Sequence, residues 1–275
     1  MSSHPLRGYT GAAGAQLHYR MLGEGPTVFL LHASPLSSAF MLGQLQALAD
    51  AGRRAVALDT PGYGQSDPLP APPQSLADYA RAFLAGIDAM GVERFGLYGT
   101  ATGAQLALAL ARHAPGRVSR LVLDNCALFT DAQVAEWEPR YFPDLTPRAD
   151  GSHMAKVWEV ASRQFVSFPW FSDAPEHRLQ RPPAPLAVVQ SMADHFLMAT
   201  PGYDAAYRLA FHAENARSFA GLSVPTVLVD WAGSIVRREV QALVAEGLPP
   251  CVRVVGAGAS AGERFAAIVE AFAGG

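Results

Sequence analysis

Lysine is almost missing from this 275-residue chain: Lys156 stands alone, and arginine supplies the rest of the 21 basic residues. Against 24 acidic residues this leaves a formal net charge of -3. A strongly basic face is therefore excluded, and with it nucleic acid or an anionic membrane as an expected partner. The Gly-rich run "GTATGAQ" lacks the Lys-Ser/Thr ending of a phosphate-cradling P-loop. Cysteine is equally scarce. Cys126 and Cys251 lie far apart in no metal-like spacing, so no disulfide framework, metal site or cofactor is expected, and a reducing compartment fits. No apolar run approaches the ~20 residues that cross a bilayer. Residues 1–10 are polar and contain Pro5, unlike the apolar core of a signal peptide. The expectation is a cytoplasmic protein free of membrane and nucleic acid; a homodimer stays open.

What is present is a regular alternation. Half of the residues are hydrophobic and 16% are charged, the balance of a globular α/β chain with a large core. Apolar runs at residues 27–33, 54–60, 94–99 and 117–125 read as strands. Helical patterns separate them, at residues 76–90 and in "GAQLALALARHA". Near-continuous apolar strands spaced by helices predict a mostly parallel sheet with helices on both faces. After Phe129 the rhythm breaks into helical fragments, aromatics and Pro clusters such as "RPPAP", and it returns with "VPTVLVDWAG", "CVRVVGAG" and a last helix. The predicted organisation is a sheet domain (residues 1–129 and 221–275) interrupted by a helical cap (residues 130–220). Ligands of open parallel sheets bind at the carboxyl ends of the strands. That singles out "HASP", "DTPGYG", "GTATG", "DNC", "DWAGS" and "GAGAS".

Those segments, in that order, resemble the α/β-hydrolase superfamily. "LLHASPLSS" is similar to its His-Gly-x-Pro loop, "LDTPGYGQSD" to its Asp-x-x-Gly-x-Gly-x-Ser loop, and "GTATG" to its nucleophile elbow, Gly-x-Ser-x-Gly. The resemblance implies a nucleophile at the elbow apex, an acid after a later strand and a histidine near the C-terminus. Here the apex is Ala101. Ala259 aligns with the histidine, and Gly233 or Ser234 with the acid, unless Asp124 or Asn125 takes that role. A methyl group cannot attack a carbonyl, so the expectation is a site without the Ser-His-Asp triad. Apart from its apex, "GTATGA" also resembles a subgroup whose elbow reads Gly-x-His-Thr-Gly.

The resemblance leaves an oxyanion hole intact, because its donors are backbone amides, here those of Ser34 and Thr102. His153, at a predicted helix start in the cap, is the candidate for moving protons. His32, Thr100, Ala101, Asp124, Asn125, Trp158, Trp231 and Ala259 are the expected lining of the ligand site. The cap aromatics Trp137, Trp158, Phe165, Phe168, Trp170 and Phe171 predict an apolar wall, and with it a small apolar or aromatic carbonyl compound as ligand. Three readings follow: an enzyme using non-covalent lyase, hydratase or isomerase chemistry or water-mediated hydrolysis; a pseudoenzyme that only binds; or a hydrolase disabled by substitution at 101 and 259.

Overall fold

The computed structural model describes residues 4–199 and 201–273. Eight strands form one sheet in the order β1-β2-β4-β3-β5-β6-β7-β8. β1 (Leu6–Thr10) and β2 (Leu17–Leu22) run antiparallel at one edge. β3 (Thr27–Leu31), β4 (Arg54–Leu58), β5 (Phe95–Thr100), β6 (Val118–Asp124), β7 (Thr226–Trp231) and β8 (Val252–Ala257) are parallel. α1 (Leu42–Asp50) follows β3, and α2 (Leu76–Ala89) and α3 (Thr102–His113) flank β5. Strands β3 to β7 sit within a residue or two of the apolar runs in the sequence. β1 and β2 carry mixed polarity, because one face of this edge meets solvent.

α3 is the buried helix beneath the sheet's centre. Every residue from 102 to 111 is buried, which explains a helix apolar on all sides and rich in Ala and Leu. Its close approach to the sheet depends on two glycines. A Cβ on Gly99 would stand 2.2 Å from the Gly103 carbonyl oxygen, and one on Gly103 would stand 2.1 Å from that of Leu31.

Between β6 and β7 the chain adds no strand to the sheet. It forms α4 (Asp131–Tyr141), α5 (Ser152–Arg163), α6 (Leu186–Ala199) and α7 (Ala205–Ala213). α4 starts on a capping box: the Thr130 hydroxyl accepts from the Gln133 N–H, and the Gln133 side chain accepts from the Thr130 N–H. α8 (Arg237–Ala245) and α9 (Ala261–Ala273) complete the core. No helix among the described residues is long and apolar enough to cross a membrane.

Candidate functional site

β5 turns directly into α3 at Ala101, whose backbone has φ 50° and ψ -121°. An alanine rarely tolerates this left-handed region. The two glycine contacts and the hydrogen bond from the Ala101 N–H to the Asp124 carbonyl hold it there. The apex forms the floor of a cavity of about 180 Å³, lined there by Ser34, Thr100, Ala101, Thr102 and Asn125. Thr102 and Ser34 donate no backbone hydrogen bond to any described residue. Both N–H groups are therefore free donors at the cavity floor, where the first turn of a helix favours negative charge.

The walls come from the segment between β6 and β7. Phe129, Tyr141, Phe168, Tyr207 and Phe211 line the cavity, with the Tyr141 and Tyr207 hydroxyls paired at 2.8 Å. Of the aromatics expected from the sequence, only Phe168 is in the lining. Trp137 packs behind it, edge-on to Phe168 at 5.9 Å. Trp170 is buried, donating its indole N–H to the Tyr141 carbonyl. Trp158 is 41% exposed on α5, so it is no wall of this site.

Other expected positions are corrected as well. His153 lies outside the cavity lining, and its Nδ1 accepts the Arg148 N–H at 3.1 Å to close a surface turn. Ala259 is exposed, just before the Ser260–Glu263 capping interaction that opens α9. Trp231 faces Arg264, whose guanidinium sits 4.4 Å from its ring centroid. Asp124 is fully buried, accepting from Arg264 Nε at 2.6 Å and from the Tyr98 hydroxyl at 2.8 Å. The same guanidinium reaches the Thr100 hydroxyl at 3.3 Å, which also accepts from Asn125 at 3.0 Å. An arginine thus occupies the carboxyl ends of β5 and β6, and Asp124 has no histidine to orient. Burial pushes the Arg264 pKa down, but the Tyr98 and Asp124 contacts reverse this and raise it.

His32 is a brace and not a ligand-facing group. Its Nδ1–H donates to the Ala33 carbonyl, and Nε2 accepts from the Thr60 N–H. Complete burial lowers its pKa, which keeps it neutral. Asp59 organises the loop after β4, accepting from the N–H groups of Ser38 and Gln65 and from His18. Burial raises its pKa, yet His18, His32 and these donors outweigh that and hold it at about 2. A Ser–His pair ties α6 to the loop after β3. His195 Nδ1–H donates to the Ser191 carbonyl, leaving Nε2 to accept from the Ser37 hydroxyl at 2.7 Å. Both side chains are buried and neither lines the cavity, and Ser37 also caps the following turn.

The residue that sequence reasoning missed is Glu214. It lines the cavity, is 7% exposed, and its carboxyl makes no hydrogen bond with any described residue. Burial, with Glu239 adding repulsion, lifts its pKa well above the ordinary range. The signal was present: Tyr207, Phe211 and Glu214 fall at i, i+4 and i+7, one face of α7 and its cap. An acid on an apolar stripe marks a buried titratable group.

Over 127 residues the chain is 40% identical to 2-hydroxy-6-oxononadienedioate/2-hydroxy-6-oxononatrienedioate hydrolase 2 of Pseudomonas putida, covering 44% of each protein. Over 110 residues it is 34% identical to epoxide hydrolase 2 of Siraitia grosvenorii, covering 40% of this chain and 35% of that one. The chain thus matches less than half the length of either relative. Among solved structures, an epoxide hydrolase from an endophytic Streptomyces superposes with a TM-score of 0.75 at 15% identity, covering 99% of this chain and 96% of that one. The enol-lactonase of Burkholderia xenovorans does so with a TM-score of 0.71 at 22% identity, covering 96% and 99%. The family model described as alpha/beta hydrolase fold matches residues 26–187, more than half of the chain; the protein belongs to the α/β-hydrolase fold family.

Proposed function

We propose that this protein acts on a small, mainly apolar carbonyl compound without a Ser-His-acid triad. Residues 130–220 serve as the cap that walls the site. The observation that carries the reading is Ala101, a methyl-tipped apex held in a strained elbow between two free amide donors. The carbonyl oxygen would sit between the Ser34 and Thr102 N–H groups, which polarise it and stabilise the charge that develops there. One such donor is worth about 2.7–4 kcal/mol in a transition state. In triad enzymes stripped of their catalytic side chains, binding and the oxyanion hole alone retain roughly 10³–10⁴-fold acceleration. Chemistry without an enzyme-bound intermediate is therefore within reach of this site. Hydration, elimination, isomerisation or hydrolysis by a bound water suits it. The relatives' names support hydrolysis and, for the Pseudomonas putida enzyme, an oxo-acid substrate.

A cavity of about 180 Å³ is smaller than drug-sized sites, which favours a compact substrate. Binding without turnover is the second reading, supported by the absence of a basic side chain in the lining. A simply disabled hydrolase is disfavoured, because Ala259 is exposed and Arg264 occupies Asp124. Accordingly, Ala101→Ser with Ala259→His should show no gain in cleavage of activated esters.

The test is incubation with a serine-directed phosphonate and a panel of aryl esters, followed by intact-mass spectrometry. No adduct is expected, whether or not ester turnover is seen. A stable adduct mapped to residues 100–102 would overturn the non-covalent reading.

A further inference from the structure

We infer that the cavity receives a basic nitrogen: Glu214 and the rings around it bind the protonated amine of a small apolar or aromatic ligand. The inference rests on the proposed reading in taking this cavity as the ligand site, and it narrows the substrate to a carbonyl compound that also carries an amine.

Four observations lead there. Glu214 is more than nine-tenths buried, lines the cavity, and has no hydrogen-bond partner among the described residues. Its carboxyl oxygens are not fully enclosed, so a donor that enters the cavity can reach them. Five aromatic rings line the same space: Phe129, Tyr141, Phe168, Tyr207 and Phe211. Ring faces carry negative charge density and attract an ammonium, most strongly where water is excluded. Among the described residues, no lysine, arginine or histidine lines the cavity to compete for the carboxylate. The Glu214 carbonyl accepts from the Phe129 N–H at 2.6 Å, which pins the backbone carrying the acid.

The groups facing Glu214 strengthen the preference. Glu239 on α8 repels its charge, and Glu239 is itself only partly offset by Arg238 and His177. Burial makes Cys126 and the hydroxyls of Tyr141 and Tyr207 harder to ionise, and nearby Glu214 adds to this. A cation beside Glu214 offsets the repulsion from Glu239. Burial favours the neutral carboxyl of Glu214 in the empty cavity. An incoming ammonium forms an ammonium–carboxylate pair, and the carboxyl proton leaves to solvent. Bonds and charge balance: one O–H bond breaks, and one proton is released per ligand bound.

The experiment is titration calorimetry of the full chain with 2-phenylethylamine and with its uncharged counterpart 2-phenylethanol. Each is run near neutral pH in two buffers of different ionisation heat. The amine is expected to bind about tenfold or more tightly than the alcohol, to release a proton, and to be displaced by the alcohol. In Glu214→Gln the amine should lose that advantage while the alcohol binds as before, which also reports that the variant is folded. Equal affinity of the two ligands would overturn the inference. So would a Gln variant that keeps the amine preference, which would make Glu214 a neutral donor or a spectator, and so would failure of the alcohol to compete. Binding of the alcohol alone, or of neither ligand, sinks this inference and leaves the proposed function to its own test.

Discussion

At the scale of single residues, Ala101 holds a backbone shape whose usual reason is missing. A non-glycine residue in such a region costs about 1–3 kcal/mol, and here no side-chain chemistry depends on it. The shape persists because Gly99, Gly103 and the Asp124 carbonyl leave the chain no other path. Ala101→Gly should therefore stabilise the protein. Relief of strain exceeds the ~0.5–1 kcal/mol that glycine's extra freedom costs, for a net gain of about 1 kcal/mol. A higher urea midpoint at unchanged slope would register it; a lower midpoint would show that Ala101 is unstrained. Asp124 illustrates the opposite limit of residue-level reasoning. Its position after β6 invites the role of a triad acid, yet a guanidinium 140 residues away claims it.

At the scale of elements, the β5–α3 unit was legible because its determinants are local. An apolar run, a Gly-x-x-x-Gly turn and an Ala-rich helix follow one another within twenty residues. The packing that demands the glycines can be tested. Gly103→Ala would drive a Cβ to 2.1 Å from the Leu31 carbonyl oxygen, so β3 and α3 must separate. Overpacking of this kind costs about 1–3 kcal/mol or more, and thermal denaturation should show a fall in midpoint of several degrees. The segment between β6 and β7 was legible as helices but not as a surface. On α5, Trp158 looked suited to a binding wall and His153 to moving protons, whereas Phe211 and Glu214 at the end of α7 drew no notice. Which face of a helix meets a cavity depends on what it docks against, and docking partners lie far off in the chain. β1 and β2 escaped notice for a related reason: a half-exposed edge hairpin has no long apolar run to betray it.

At the scale of the whole molecule, two carboxyl groups pull the pH dependence of stability in opposite directions. Asp59 is held at about 2 in the fold, below the ~3.9 of an unfolded aspartate. The unfolded chain binds the extra proton between those values. The stabilisation, about 2 kcal/mol, is present above pH ~4 and is lost as pH falls through about 2. Glu214 is raised, so the folded chain binds the extra proton. Its stability is present below the unfolded glutamate value of ~4.3 and is lost as pH rises through the folded value. Glu214→Gln should therefore melt higher than the parent at pH 8, with the gap closing toward pH 4. A constant gap across that range would mean that Glu214 is not titrating from a raised value. A group that destabilises the empty protein at working pH, and that a ligand could relieve, fits the exchange of stability for function common at binding sites.

Alternating apolar runs, the glycines around the elbow and the methyl group at its apex are properties of short stretches of chain. Neighbours a few residues apart are enough to set strand, turn and helix, and no fold can give alanine a nucleophilic atom. Long-range packing alone assigned Asp124 to Arg264, turned His153 outward and left Glu214 unpaired among aromatic rings. Burial and charge pairing, which decide what an ionisable group can do, are set by residues brought together from distant parts of the chain.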